Sequence, residues 1–274
     1  MNRLLCFVWF LAASVAFAED SKSEKKEEEV RIPAGVQHAQ WDRLLKKHVD
    51  QSGLVNYAAW QRNPGDRAAL DRYLAQYERT GSAAAGNEKA ASLANAYNAF
   101  TIRWILQNYP TESIWRTEKP FDVRRHRIGG ELVSLSDIEK GTLIPAIGWK
   151  AHGVLVCAAR SCPPLQRSAY NAGQFDAQVA AVYRIWLGRT DLNTFRPEQK
   201  RAEISSIFKW YQADYAKVGG PKPILTRYAP SAYRGFLASD GYQIKYKSYN
   251  WGLNDQGARG RGYSRLNLYL DTLF

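Results

Sequence analysis

The stretch from Glu88 to Gln107 constrains this fold more than any other, because apolar residues recur through it at helical spacing and Pro110 bars its continuation. Asn95, Asn98, Ile102 and Ile105 follow one another at steps of 3, 4 and 3 along one stripe, and Leu93, Tyr97, Phe100 and Trp104 form the next. A helix apolar on two adjoining stripes must be packed on both, so this one organises the core. The two amides interrupt an otherwise apolar surface. A buried Asn is costly unless its donors and acceptors are met, so Asn95 and Asn98 either clamp loop backbone or line a reactive pocket, where an amide can serve a developing oxyanion.

Helical spacing recurs in Trp41, Leu44, Leu45 and His48, which end at Asp50 to Gly53, and in Asp66 to Arg79 with Leu70, Tyr73, Leu74 and Tyr77 on one face. Gln174 to Leu187 reads the same way, as does the segment behind Ser205 with Ile207, Trp210, Tyr211 and Tyr215. Gly129-Gly130 reads as a hairpin turn between Val123 to Ile128 and Glu131 to Leu135, with Ser136 capping a short helix from Asp137. Ala202 to Ile204 and Tyr242 to Tyr246 are expected as short strands. Gly153 to Cys157 is continuously apolar, as a strand buried on both faces would be, and its exit, Ala158 to Leu165, carries two prolines and must be a loop. No period repeats and no linker separates halves. The expected fold is α+β, one helix-rich domain with a small sheet.

Both ends of the chain read differently from its middle. Arg3, the apolar run Leu4 to Phe17 and the small-x-small triplet Ala16-Phe17-Ala18 have the form of a secretory signal over 1–18. Residues 19–35 begin with the charged run EDSKSEKKEEE and are expected as a disordered leader, followed by a folded domain over 36–255 and a basic tail over 256–274. The expected destination is therefore outside the cytoplasm, periplasmic or secreted, with no transmembrane segment in the mature chain. Lys and Arg number 38 against 26 Asp and Glu, a net charge of +12. Spread along the chain, that excess favours an anionic neighbourhood, an envelope polymer or a peptide, and gives no ground for specific nucleic-acid binding. Tyr246, Tyr249 and Trp251, beside Lys245 and Lys247, either stack on sugar rings or pack.

Removal of the signal takes Cys6 with it and leaves Cys157 and Cys162. In an oxidising compartment two cysteines five apart form a plausible disulfide; the alternative is a reactive thiol. On a regular strand His152 and Cys157 face opposite sides, so Cys157 reads as structural and Cys162, in the loop beside Arg160, as the nucleophile. Its base is His152, or else His126 or His48. A thiol enzyme needs a thiolate, a base in reach and an oxyanion donor; Cys162, a histidine and the Asn95 or Asn98 amide supply one of each. The C-x4-C spacing has no second pair to complete a zinc site, and no Walker, dinucleotide, HExxH or GxSxG pattern occurs. No metal and no cofactor are expected.

Six segments in order, GLVNYAAW, NEKAASLANAYNAFTIRWILQNYP, SLSDIEKGTL, HGVLVCAARSCPPL, ISSIFKWYQADY and YNWGLND, resemble the hallmark segments of the bacterial domain-of-unknown-function family 547. The resemblance covers roughly Trp41 to Asn254 and identifies a family, not a reaction. It implies an exported protein and kinship with papain-like or transglutaminase-like thiol enzymes. One departure matters: the family usually reads Ile-Glu-His where this chain has Ile138-Glu139-Lys140, so a histidine role at that position is lost. Thiol-dependent hydrolysis or acyl transfer in the cell envelope is the first expected function, and a non-catalytic module that binds anionic envelope polymers the second.

Overall fold

The computed structural model describes residues 28–264 and Tyr269. Its helices are α1 (Ala39–His48), α2 (Tyr57–Gln61), α3 (Pro64–Ala75), α4 (Gly86–Gln107), α5 (Leu135–Ile138), α6 (Ile144–Ile147), α7 (Ala151–Val154), α8 (Phe175–Gly188), α9 (Ile207–Trp210), α10 (Gln212–Ala216), α11 (Pro221–Tyr228) and α12 (Arg234–Ala238). Strands β1 (His126–Ile128) and β2 (Glu131–Val133) make a hairpin, and β3 (Thr194–Arg196), β4 (Arg201–Ile204) and β5 (Gln243–Tyr246) make a separate sheet. The class is α+β, as the sequence predicts.

Helix α4 is the axis of the domain, and every residue from Ala90 to Ile102 is buried. Alanine and serine at 90, 91, 92, 94, 96 and 99 let neighbours approach on all sides, so burial extends beyond the two predicted stripes. Helix α3 packs along it, opened by Pro64 and by the Asn63 side chain, which accepts from the Asp66 N–H. Helices α2, α5 and α8 also pack against it, and α1 packs on α3 and α2. Trp41 stacks on Tyr73 with ring centroids 5.7 Å apart, tying α1 to α3.

The hairpin pairs His126 with Val133 and Ile128 with Glu131. Its turn needs Gly129 and Gly130 at φ of 57° and 87°, and a side chain at 129 would strike the Arg31 carbonyl. In the second sheet β4 pairs antiparallel with β3 and parallel with β5, placing Ala202 beside Phe195 and Ile244.

Three expectations are corrected. Gly153 to Cys157 is not a strand: Ala151–Val154 is a helical turn, and Leu155 to Cys157 leaves it extended with no partner strand among the described residues. A short apolar run does not distinguish a buried strand from a buried helix, and here the Asn98 side chain bonds the Val154 carbonyl and the Val156 N–H in place of a ladder. The short helix before Glu139 is capped by Ser134, not Ser136, through a reciprocal capping box with Asp137.

The third correction concerns the ends. The signal over 1–18 lies outside the described residues, but the second half of the expected leader is packed. Val30 and Ile32 are core residues, and the Ala84 N–H donates to the Ile32 carbonyl. At the other end, Gly260 lies against Gly252 and Leu253, and Tyr263 is buried, so the fold runs past the predicted boundary at 255. Among the described residues no helix is long and apolar enough to cross a membrane.

Candidate functional site

The loop from Cys157 to Cys162 is shaped by its neighbour in space, the segment 250–255. Ala158 adopts φ of 60°, a left-handed conformation unusual for a residue with a side chain, and reverses the chain. The Asn254 N–H donates to the Ala158 carbonyl at 2.9 Å, the Arg160 N–H to Gly252 at 2.8 Å and the Ser161 N–H to Asn250 at 3.2 Å. The Cys162 N–H closes the turn on the Ala159 carbonyl. These bonds fold the loop back so that the two sulfurs of the free thiols stand 2.8 Å apart.

Burial is the reverse of the sequence expectation. Cys162 is 4% exposed, and Cys157 is only half-buried. Burial works against a Cys162 thiolate, but its sulfur accepts from the Cys157 thiol, from Tyr249 Oη at 3.2 Å and from the Cys157 N–H at 3.3 Å, and these hold its pKa below the ordinary value. The same thiol–thiol hydrogen bond, with burial, pushes Cys157 up. Arg160, the predicted source of acidity, instead directs its guanidinium to the carbonyls of Asp255, Gly257 and Arg259.

Both sulfurs line a cavity of about 280 Å³, together with Glu139, Lys140 and His152. Glu139 opens a π-helical stretch, Glu139–Leu143, that follows α5 and widens the helix there. Its carboxyl accepts from Tyr211 Oη at 2.6 Å and Tyr97 Oη at 3.1 Å. Burial raises its pKa, and the two hydroxyls only partly offset that. The carboxyl therefore holds its proton above the usual carboxylate range.

His152 also faces the cavity, on α7. Its Nε2 lies 3.0 Å from Asp214 Oδ2, and its ring stacks on Tyr211 with centroids 3.8 Å apart. Burial lowers its pKa to about 4 despite the Asp214 carboxylate, so the ring is neutral and Nε2–H donates to Asp214. It braces Tyr211, which in turn holds Glu139.

Of the other candidates, Asn95 and Asn98 do not line the cavity. Asn95 donates to the Tyr170 carbonyl and accepts from the Tyr170 N–H, at 2.8 and 3.0 Å, and Asn98 holds Val154 and Val156 in the same way. Both are backbone clamps, and Asn98 fixes the strap that leads to Cys157. His126 stacks on Phe100 in the core and His48 pairs with Asp66, both away from the thiols. Glu139 is the residue that sequence reasoning missed; its signal lay in the segment SLSDIEKGTL, where attention fell on Lys140. Among the described residues no three His, Cys, Asp or Glu side chains cluster as metal ligands would.

Residues 82–187 match the family model described as "Protein of unknown function, DUF547". The match is narrower than the sequence resemblance, yet it holds Glu139, His152, Cys157 and Cys162, and leaves Tyr211 and Tyr249 outside it. No curated protein and no solved structure matches the chain.

Proposed function

From a chain whose residues 82–187 belong to the DUF547 family, we propose a thiol-dependent hydrolase or acyl transferase. It is exported and acts in the cell envelope, a reading supported by the apolar run Leu4 to Phe17 and the triplet Ala16-Phe17-Ala18. One observation carries the chemistry: the Cys162 sulfur, held by three hydrogen-bond donors, shares a cavity with the buried Glu139 carboxyl, whose pKa burial raises.

In acylation the Cys162 thiolate attacks the acyl carbonyl, and a C–S bond forms as the carbonyl π pair moves to oxygen. The tetrahedral intermediate collapses, the bond to the leaving oxygen or nitrogen breaks, and Glu139 supplies the leaving group's proton. Water or an acceptor hydroxyl then attacks the thioester, gives its proton to Glu139 and releases the thiolate. Tyr249 and the Cys157 N–H stabilise the sulfur anion at both ends of the cycle. His152 is a positioning residue that acts through Tyr211.

Alkylation by iodoacetamide, followed by mass spectrometry across pH, tests the nucleophile, and turnover of a simple activated ester tests the reaction. Cys162 is expected to label in preference to Cys157, at a rate that rises through a pKa below about 8.5. Tyr249→Phe should shift that pKa upward, and Cys162→Ala should abolish turnover. Turnover that survives Cys162→Ala, or preferential labelling of Cys157, would overturn the assignment. The second reading, a module that holds anionic envelope polymers, is supported by the net charge of +12 and would account for salt-sensitive retention without turnover.

A further inference from the structure

One wall of the thiol cavity is a ribbon of aromatic rings. Phe121 packs edge-on to Trp115 with centroids 5.2 Å apart, Trp115 edge-on to Trp251 at 5.3 Å, and Trp251 stacks on Trp210 at 5.9 Å and 15°. Tyr249, whose hydroxyl reaches Cys162, touches both Trp251 and Trp210 at 4.7 Å, so the ribbon ends at the reactive sulfur. Rings packed for stability alone would be covered. Trp210 is instead 48% exposed at the cavity, among the most exposed large apolar side chains of the described residues.

Three observations select what the ribbon fits. The cavity, at about 280 Å³, lies just below the range of ligand sites, ~300–1,000 Å³, and has room for one ring-sized group beside the thiols. Its lining also carries a carboxylate: Asp122 is exposed and accepts at Oδ1 from the Ser136 hydroxyl at 2.7 Å, and both residues line the cavity. Among the described residues no strand contributes to its lining, so they offer no strand edge there on which a peptide backbone could pair. A pyranose has an apolar C–H face and a rim of hydroxyls, which a flat indole and a carboxylate beside it complement.

We infer that Trp210 and its ribbon form a saccharide subsite, with Asp122 accepting from ring hydroxyls, and that the acyl group acted on at Cys162 is carried by a sugar. The inference rests on the thiol reading for the second clause only, since sugar binding itself needs no thiol.

The test is titration of the full chain with cellobiose and N,N′-diacetylchitobiose, read by calorimetry and by saturation-transfer NMR on the sugar. At least one disaccharide should bind at millimolar concentrations, with saturation transferred to the ring C–H face. Trp210→Ala should weaken binding about tenfold and Trp210→Phe less, while Cys162→Ala should leave it unchanged. Asp122→Asn, at an exposed position, provides a second variant that retains the fold and should weaken binding. Binding of neither sugar, or binding indifferent to both Trp210→Ala and Asp122→Asn, overturns the subsite and leaves the thiol reading standing if ester turnover still requires Cys162. Sugar binding with turnover that survives Cys162→Ala keeps the subsite and removes the thiol reading.

Discussion

At the scale of single residues, the amides of α4 join the interior to the site. Asn95 and Asn98 each satisfy one backbone N–H and one carbonyl of a loop that forms no ladder of its own. Replacement of either by Leu leaves two buried backbone groups unpaired and should cost on the order of 1–3 kcal/mol in denaturant unfolding. Asn98→Leu should in addition slow Cys162 alkylation, because it frees the strap before Cys157, whereas Asn95→Leu should not. His126 makes a separate prediction. Burial lowers its pKa to about 3, against about 6.5 in an unfolded chain, so between those values the unfolded state binds one proton more. Its contribution is complete above pH ~6.5 and is lost as pH falls, at about 1.4 kcal/mol per unit. His126→Phe, which keeps the ring packed on Phe100, should flatten the acid limb of the stability profile by that slope; an unchanged limb would exclude a buried neutral histidine. The sequence was informative about the amides, because a polar residue on an apolar stripe advertises a partner. It could not name the partners, which lie 56 to 75 residues away.

At the scale of elements, helix and hairpin signals carried over where local chemistry dictates them. Pro110 stands beyond α4 and two glycines with positive φ turn the hairpin, while α3 starts two residues before the expected Asp66, at Pro64 behind the Asn63 cap. The prediction failed at Gly153 to Cys157, where an apolar run lacks a period long enough to read. Its glycine now has a positional reason: a side chain at 153 would overlap the Tyr183 ring, which is pinned by its hydroxyl to the Trp149 carbonyl at 2.6 Å. Gly153→Ala should therefore cost about 1–3 kcal/mol through overpacking, measured by thermal or urea unfolding. It should also disturb His152 on the same turn, lowering ester turnover more than the loss of folded protein accounts for.

For the whole molecule, both ends of the described segment pack against the domain. Val30 and Ile32 fill the core beside the hairpin, and removal of residues 1–35 should destabilise the protein by about 3–6 kcal/mol relative to removal of 1–27, read by urea unfolding of the two truncations. The sequence by itself determined the class, the central helix, the hairpin and the strands β4 and β5, since each follows from local pattern: periodicity, turn glycines and prolines. Only the tertiary structure decided which thiol is buried, why Cys162 is the more acidic, and that Glu139, His152 and the aromatic ribbon face one cavity. Those properties depend on contacts between residues far apart in the chain, Tyr249 with Cys162 and Tyr211 with Glu139. Periodicity reports which face of an element is covered, but not what covers it, and a pKa is set by what covers it.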